Sequence, residues 1–230
     1  MIILGINTAT FNTAVAAVDT KKNRVIWERH WPSDYNEAEK TLPAVSEAID
    51  KIRELKMQPQ EIFAVDGPGS FTGLRIGVTI ANTLAWAADI KIFSCGTFRY
   101  LAEALESGSK TYTPKNTALL LRAGGENIAL MMPSAGHNRN RDTYRLIPSA
   151  KLAPLLQNKR ALKYVLADLK PEERKKIKLP PGIRFLPLNK IAGFGKTLLS
   201  LAKLKLPRQT VIKPAYLQPP KITLSKKPKF

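Results

Sequence analysis

The alternation of apolar and polar positions divides the first 110 residues into short strand-like runs and two long helical segments. Near the N-terminus, three apolar or alternating runs are interrupted by the polar stretches TATFN and TKKN, as in strands joined by tight turns. From Asn36 to Met57 apolar residues recur every three or four positions, which predicts an amphipathic helix. The predicted elements are strands over 2–7, 13–19 and 24–31, a helix over 36–57, a strand over 62–66, a helix over 72–89, a strand over 90–95 and a helix over 97–106.

The second half also alternates strands and helices, after a segment GSKTYTPKN whose composition is typical of an interdomain link. Its predicted elements are a strand pair over 117–132 around Gly124 and Gly125, a polar turn over 137–142, a strand YRLI, helices over 149–157, 171–177 and 189–204, and strands over 163–168 and 183–188. We therefore predict an N-terminal subdomain over 1–110, a smaller basic subdomain over 111–212 and a mobile basic tail over 213–230.

The order of the first seven elements predicts the fold. Three antiparallel strands followed by a helix, a strand, a helix and a strand form the topology of an RNase H-like half domain, which is duplicated in actin-like ATPases and sugar kinases. By this analogy we predict an α/β, actin-like or RNase H-like fold of the ASKHA superfamily, with two subdomains that each hold a mixed sheet flanked by helices.

Positive charge is concentrated in the second half of the chain. The 230 residues carry a formal net charge of +19, and residues 1–110 contain 12 Lys and Arg against 13 Asp and Glu, whereas residues 111–230 contain 25 against 5. Such asymmetry favours a polyanionic partner such as nucleic acid, although a solvated lysine-rich surface is the alternative. The candidate RNA contacts are Lys170, Arg174, Lys175, Lys176 and Lys178 on one short helix, and Lys221, Lys226, Lys227 and Lys229 in the tail.

Other chemistry is sparse in this sequence. The single cysteine, Cys95, excludes an intramolecular disulfide and indicates a reducing compartment. No run approaches ~18 uninterrupted apolar residues, so we expect a cytoplasmic protein without a membrane partner. His30 and His137 are too far apart in sequence for a local zinc motif, and we expect neither a metal site nor a cofactor.

The segment VDGPGSFTGLRIG, residues 65–77, raises the question of phosphate binding. A glycine-rich turn before a helix can bind anions, because unpaired N–H groups and the positive end of the helix dipole converge there. Its spacing fits neither the P-loop nor the dinucleotide-binding fingerprint. The simpler interpretation is that Gly67 and Gly69 supply backbone with positive φ, Pro68 fixes the turn, and Ser70 or Thr72 caps the helix.

Two features disfavour autonomous ATP hydrolysis. The segment GFGKTLL ends like a P-loop, but Lys190 stands where the first glycine is required. Asn7 follows the first strand, where actin-like ATPases carry an acidic residue, and a neutral amide is a weaker ligand for Mg²⁺ than a carboxylate. Ser70 has no recognisable catalytic base nearby in the sequence. Asp66 could serve as a general base, but a lone Asp before a turn is more often a hydrogen-bonding residue.

The segment GPGSFTGLRIG resembles the hallmark loop and helix of the bacterial TsaB (YeaZ) family of tRNA threonylcarbamoyladenosine biosynthesis. The motif residues are Gly67, Pro68, Gly69, Ser70, Phe71, Thr72, Gly73 and Arg75. The stretches ILGINTAT, NEAEKTLPAVSEAI, LLRAGGENIALMM and KPAYLQPPKIT are similar to further family segments, strongly up to residue 107 and weakly over 133–212. Asn7, Asn36 and Leu121 replace an Asp, a His and an Asp of the family pattern.

The resemblance implies an actin-like paralogue without a catalytic site. Such a protein binds TsaD, the metal-dependent threonylcarbamoyl transferase, as a heterodimer, while the ATPase TsaE binds at their junction. The resemblance further implies tRNA as a partner through the complex, and a possible homodimer of the isolated protein. The alternative functions are an actin-like phosphotransferase or a glycoprotease-type hydrolase, and an independent RNA-binding protein.

The helices over 36–57 and 72–89 are the predicted partner face. Small residues allow two helices to approach closely, and surplus apolar positions on a helix favour burial by a second protein. Burial in the protein's own core is the alternative for each of them. The candidates are Leu42, Val45, Ile49, Ala81, Leu84 and Ala85.

Overall fold

The computed structural model describes residues 1–34, 36–132, 144–157 and 159–217, apart from the side chain of Asn189. Two five-stranded mixed sheets form the framework. The first has the order β3-β2-β1-β4-β5 and consists of β1 (Ile2–Asn7), β2 (Asn12–Asp19), β3 (Arg24–Pro32), β4 (Glu61–Gly67) and β5 (Lys91–Gly96). The second has the order β10-β9-β6-β7-β8 and consists of β6 (Thr117–Arg122), β7 (Asn127–Met131), β8 (Arg145–Pro148), β9 (Tyr164–Asp168) and β10 (Arg184–Phe185).

The first sheet is sandwiched between two pairs of helices. The central strand β1 pairs antiparallel with β2 and parallel with β4, and all six of its residues are buried. Because side chains alternate along a strand, Leu4 packs towards α1 (Glu37–Glu54) and α2 (Phe71–Ala87), whereas Ile3 packs towards α3 (Thr97–Gly108) and α6 (Phe194–Ala202). The sequence predicts every helix and strand of residues 1–110, and the observed ends of these elements differ from the predicted ends by a few residues.

The second half departs more from the predicted elements. The strand over 183–188 is reduced to the two residues of β10, and the helix over 189–204 shortens to α6. The cause lies at Ile191, whose extended backbone separates a single 3₁₀ turn from α6, and at Gly193, which caps α6 with extended backbone. The remaining helices are α4 (Leu152–Leu156) and α5 (Pro171–Lys175), and the predicted turn over 137–142 lies outside the described residues.

One apolar core joins the two sheets. Ile3 and Phe63 of the first sheet belong to the same buried cluster as Leu119 and Leu166 of the second. Phe194 of α6 lies in this cluster with its ring centroid 6.2 Å from that of Phe63, so the chain returns to the first sheet after completing the second. The subdomain boundaries at 110 and 212 stay a prediction.

Residues 204–217, here called the C-terminal strap, cross the open edge of the first sheet. Gln209 exchanges two backbone hydrogen bonds with Ile92 of β5, at 2.8 and 3.0 Å. The Arg208 guanidinium lies 3.1 Å from both carboxylate oxygens of Glu61 and 4.2 Å from the Phe93 ring centroid. The side-chain amide of Asn82 on α2 binds both backbone groups of Ile212 at 3.0 Å.

The strap then reaches the glycine-rich loop. The Ala215 N–H donates to the Asp66 carbonyl at 2.7 Å, and the Tyr216 ring packs against Phe71 with centroids 4.9 Å apart. The prediction of a mobile tail from residue 213 is wrong for Ala215 and Tyr216, because both lie against the loop. Residues 218–230 lie outside the described part of the chain.

Candidate functional site

A cleft of about 480 Å³ lies between the two sheets. Its floor is built from the β1–β2 turn, the loop before α2, and the ends of β6 and β9, which are the carboxyl ends of neighbouring parallel strands. In open α/β sheets this edge is where ligands bind. The apolar part of the wall comes from Phe11, Phe71, Leu121, Tyr216 and Leu217.

The β1–β2 turn packs directly against the glycine-rich loop. The Ser70 N–H donates to the Ala9 carbonyl at 3.1 Å, and the Thr8 hydroxyl donates to the Gly73 carbonyl at 2.6 Å. Ser70 also caps α2, since its Oγ accepts from the Gly73 N–H at 3.2 Å, which confirms the predicted capping role. The Ser70 and Gly73 N–H groups, two of the backbone donors at this loop, are therefore engaged within the protein.

Two glycines of the motif allow the backbone of the β1–β2 turn to lie close to the loop. A Cβ at Gly69 would overlap the Ala9 carbonyl oxygen, and one at Gly73 would overlap the Thr8 carbonyl oxygen. Gly67 has a φ of +121° and faces the Ala215 carbonyl, so here the prediction of positive φ is correct. For Gly69 that prediction is wrong: its φ is not positive, and a glycine is needed because the Ala9 carbonyl leaves no room for a side chain.

Asn7 is committed to the β1–β2 turn. Its side chain is fully buried, donates to the Thr10 hydroxyl at 2.8 Å and accepts from the Ala9 N–H at 3.1 Å. The Tyr100 phenol also hydrogen-bonds to it. Both ends of the amide therefore shape the turn that enters the glycine-rich loop.

Asp168, at the end of β9, is the titratable group of the cleft. Both of its carboxylate oxygens accept from the Phe11 N–H, at 2.9 and 3.1 Å, which ties the second sheet to the β1–β2 turn. The residue is 8% exposed, and burial raises the pKa of its carboxyl to about 7; the Phe11 hydrogen bond opposes the rise, and the charge of Glu173 adds to it. The sequence analysis did not single out Asp168, because a lone Asp at a strand end carries no motif.

The cations around the cleft are paired with carboxylates. Arg122 Nε lies 2.8 Å from Glu173, and Lys170 Nζ lies 3.5 Å from Asp34. Glu37, which is buried, accepts from the Ser33 hydroxyl. The cleft thus combines an aromatic wall with paired charges and one carboxyl that exchanges its proton near neutral pH.

Within the described residues, no group of three or more His, Cys, Asp or Glu side chains converges as a metal site would require.

Asp66, which precedes the loop, is held by its neighbours. Its carboxylate accepts from the Ser94 hydroxyl at 2.6 Å, and burial raises the pKa of this carboxyl although that hydrogen bond opposes the rise. The remaining motif residue, Arg75, lies with its guanidinium 5.5 Å from the Phe71 ring centroid on the surface of α2. Asp66 is therefore a hydrogen-bonding residue before the loop, which agrees with the simpler of its two predicted roles.

Half of the predicted partner face is core. Val45, Ala81 and Ala85 are buried in the cluster between β1, α1 and α2, so their assignment to an exposed interface is corrected. The reason is that α2 is apolar on two sides, and its small residues face the sheet. Ile49 and Leu84 are half-buried against the same cluster, and Leu42 is 56% exposed.

The outward face of α2 carries a side chain that the sequence analysis missed. Trp86 is 82% exposed, and Thr79 and Thr83 precede it on the same exposed face at helical spacing. Large aromatic side chains are rarely so exposed in a monomer and are enriched at protein interfaces. The signal in the sequence is the spacing of Thr79, Thr83 and Trp86 at i, i+4 and i+7, which places all three on one side of a helix.

The predicted RNA contacts on and beside α5 are only partly available. Lys170 is paired with Asp34, and the Arg174 guanidinium stacks 4.4 Å from the Phe185 ring centroid, where burial lowers its pKa. Lys175, Lys176 and Lys178 are exposed. Lys221, Lys226, Lys227 and Lys229 lie outside the described residues, as does His137, while His30 is exposed on β3. No described helix is long and apolar enough to cross a membrane.

Solved structures with this architecture define the class of fold. A Pseudomonas aeruginosa protein with similarity to peptidase YEAZ is 18% identical, with 94% of this chain and 99% of that chain covered and a TM-score of 0.69. YeaZ from Pseudomonas aeruginosa is 17% identical over the same shares, with a TM-score of 0.66. The ethanolamine utilization protein EutJ from Carboxydothermus hydrogenoformans is 10% identical over 86% and 90%, with a TM-score of 0.50. The predicted α/β, actin-like fold, with two mixed sheets flanked by helices, is confirmed.

Sequence comparison gives the family. A family model described as "TsaD: tRNA N6-adenosine threonylcarbamoyltransferase" matches residues 36–150, half of the chain, and the chain belongs to this family. The tRNA threonylcarbamoyladenosine biosynthesis protein TsaB of Bacillus subtilis (strain 168) is 36% identical over 105 residues. The match spans 44% of this chain and 44% of that relative, less than half the length of either. The predicted resemblance to TsaB (YeaZ) is confirmed.

Proposed function

We propose that this chain is a non-catalytic scaffold subunit of a tRNA-modifying complex. In this role it binds a TsaD-type transferase and supports threonylcarbamoyl transfer to the adenosine next to the anticodon. A TsaE-type ATPase binds at the junction, and tRNA is bound by the assembled complex. The family match and the similarity to TsaB support this role.

The observation that carries the proposal is the packing of the β1–β2 turn against the glycine-rich loop. Thr8 and Ala9 occupy the space beside the loop, Ser70 and Gly73 use their donors internally, and Asn7 replaces a metal-binding carboxylate. An actin-like enzyme needs open backbone donors and a metal at this place, because phosphoryl transfer depends on positioning and on neutralising the phosphate charge. A loop that is packed against the β1–β2 turn in this way stabilises the start of α2.

The outward face of α2 is the proposed contact with the transferase, and α1 extends it at Leu42. Trp86 supplies an aromatic anchor, and Thr79 and Thr83 allow a close approach of another helix. The half-buried Ile49 and Leu84 border it. In the absence of the transferase, we expect a second copy of the chain to cover the same face, which would form a homodimer of the isolated protein.

The test is co-purification of the chain with its cognate TsaD-type transferase. Trp86→Arg should abolish the association and leave the unfolding midpoint unchanged, because the indole lies in solvent. Leu146→Arg, at a partly exposed leucine of β8, is the matched control and should bind normally. Full binding by Trp86→Arg would contradict the assignment of this face, and failure of the unmodified chain to bind the transferase would contradict the proposed function.

A catalytic function is the second candidate, and Asp168 is the observation that favours it. A cleft carboxyl with a pKa of about 7 is suited to general acid–base catalysis, and perturbed pKa values concentrate at functional sites. We expect the purified chain to hydrolyse ATP no faster than a control without protein. A metal-dependent turnover that is lost in Asp168→Asn, Asp66→Asn or Ser70→Ala would favour the phosphotransferase or hydrolase over the scaffold.

A further inference from the structure

A second concave site lies at the opposite end of the second sheet from the cleft. Strand β9 begins at Tyr164, which lines this site, and ends at Asp168 in the cleft, so the two are roughly 13 Å apart along the strand. The concavity, here called the basic pocket, has a volume of about 890 Å³. Its walls are the segment between α4 and β9 and the turn that precedes β10.

Four cations line the basic pocket, and its lining contains no carboxylate. They are Lys159, Arg160, Lys163 and Arg184, and all four are exposed. None of them forms a salt bridge with another residue in the described part of the chain, in contrast to Arg122 and Lys170 at the cleft. Clustered like charges in a concave surface produce a positive potential that concentrates anions there.

Backbone hydrogen bonds fix the chain segments that carry these cations. The Lys163 N–H donates to the Asn116 carbonyl at 3.0 Å, and the Arg184 N–H donates to the Lys163 carbonyl at 3.1 Å. The Leu162 N–H closes the preceding turn on the Lys159 carbonyl at 2.9 Å. Gly182, with a φ of +84° and open space around its Cα, forms the turn that brings Arg184 beside Lys163. Residues that are 25 positions apart in sequence, from 159 to 184, thus form one surface.

We propose that the basic pocket binds the phosphodiester backbone of RNA through these four side chains. Lysine and arginine on a fixed concave surface suit repeated phosphates, which supply affinity and orientation but little sequence discrimination. The excess of positive charge in the second half of the chain favours the same class of ligand. The choice of RNA among polyanions rests on the proposed function in tRNA modification.

The test measures binding of a fluorescently labelled, unmodified tRNA transcript to the isolated full-length chain across about 50 to 200 mM salt. The variant changes all four cations to glutamine: Lys159→Gln, Arg160→Gln, Lys163→Gln and Arg184→Gln. Each phosphate contact that is lost should flatten the dependence of log K on log salt by roughly 0.7 to 0.9, so the slope should fall by about 3. The affinity should fall by at least about tenfold at the lower salt concentrations, where the electrostatic contribution is largest.

The matched control removes the same charge from the first half of the chain, at exposed lysines: Lys21→Gln, Lys22→Gln, Lys40→Gln and Lys91→Gln. An equal loss of slope in both variants would overturn the proposal, since general charge would then explain binding. No measurable tRNA binding by the unmodified chain would also overturn it. So would a pocket variant that loses binding to phosphatidylserine vesicles but keeps its binding to tRNA.

This experiment is independent of the transferase. A chain that binds tRNA through the pocket but does not co-purify with a TsaD-type protein would contradict the proposed function and leave the RNA site standing. Co-purification with a TsaD-type protein, together with an unchanged salt slope in the pocket variant, would support the proposed function and contradict the RNA site.

Discussion

The substitution Asp168→Asn should remove an unusual contribution to the dependence of stability on pH. A carboxyl whose pKa is about 7 in the folded chain, and near 3.8 when unfolded, holds its proton more tightly in the native state. Between these two values the folded state therefore binds more protons than the unfolded state, so the free energy of unfolding falls as pH rises. The contribution is fully present below the unfolded pKa and is lost as pH rises through 7, which is opposite to the behaviour of a salt-bridged aspartate.

The magnitude follows from the size of the shift. About three pKa units at 1.36 kcal/mol each correspond to a cost of about 4 kcal/mol at pH 8 for ionising the buried carboxyl. An asparagine keeps an oxygen that can accept from the Phe11 N–H and carries no charge, so the geometry of the turn is preserved. The variant should be more stable than the unmodified chain at pH 8 by up to that amount.

Urea unfolding at pH 5, 6, 7 and 8 provides the assay, with Asp89→Asn, at an exposed carboxylate, as the control. The difference between Asp168→Asn and the unmodified chain should grow with pH up to about 7 and then level off. A difference that is constant across this range, or that shrinks as pH rises, would refute the reasoning because Asp168 would then be ionised in the ordinary way.

Three further substitutions test the packing around the cleft by urea unfolding. Gly73→Ala should cost about 1–3 kcal/mol, because its Cβ would overlap the Thr8 carbonyl; an unchanged midpoint would contradict the close approach. Arg208→Met should cost about 1–3 kcal/mol by leaving Glu61 unpaired, and adding Glu61→Gln should restore part of the loss. Asn7→Asp should cost about 3 kcal/mol at neutral pH, because a buried carboxylate replaces a satisfied amide. Its deficit should shrink in acid, and it should not create ATP hydrolysis.

The sequence predicts the first sheet well because each of its strands is a distinct apolar run bounded by turn residues. Strand β1 is buried on both faces and reads as continuous apolar sequence. Strand β10 has two residues, too few to carry a period, and its position depends on pairing with β9, which sequence does not reveal. The return of α6 to the first sheet is likewise a long-range contact.

The candidate site is less accessible to sequence reasoning. The motif correctly marks a turn and a helix cap, but the need for Gly69 comes from Ala9, sixty residues earlier in the chain. Periodicity identified the helix over 72–89 without deciding which of its apolar sides faces outward, so Ala85 was assigned to the interface while Trp86 was missed. The basic pocket joins residues near 160 to Arg184, and only the fold brings them together.

The C-terminal strap has a consequence for the order in which the protein can fold during synthesis. Strand β5 ends at Gly96, yet its edge and the glycine-rich loop are completed only by Gln209, Ile212 and Ala215. At typical rates of translation, these three residues are synthesised on the order of ten seconds after the strand that they cover. During that interval the first half exposes an unpaired strand edge, which is a site for aggregation or chaperone binding. Slow translation between residues 96 and 209 would prolong this exposure.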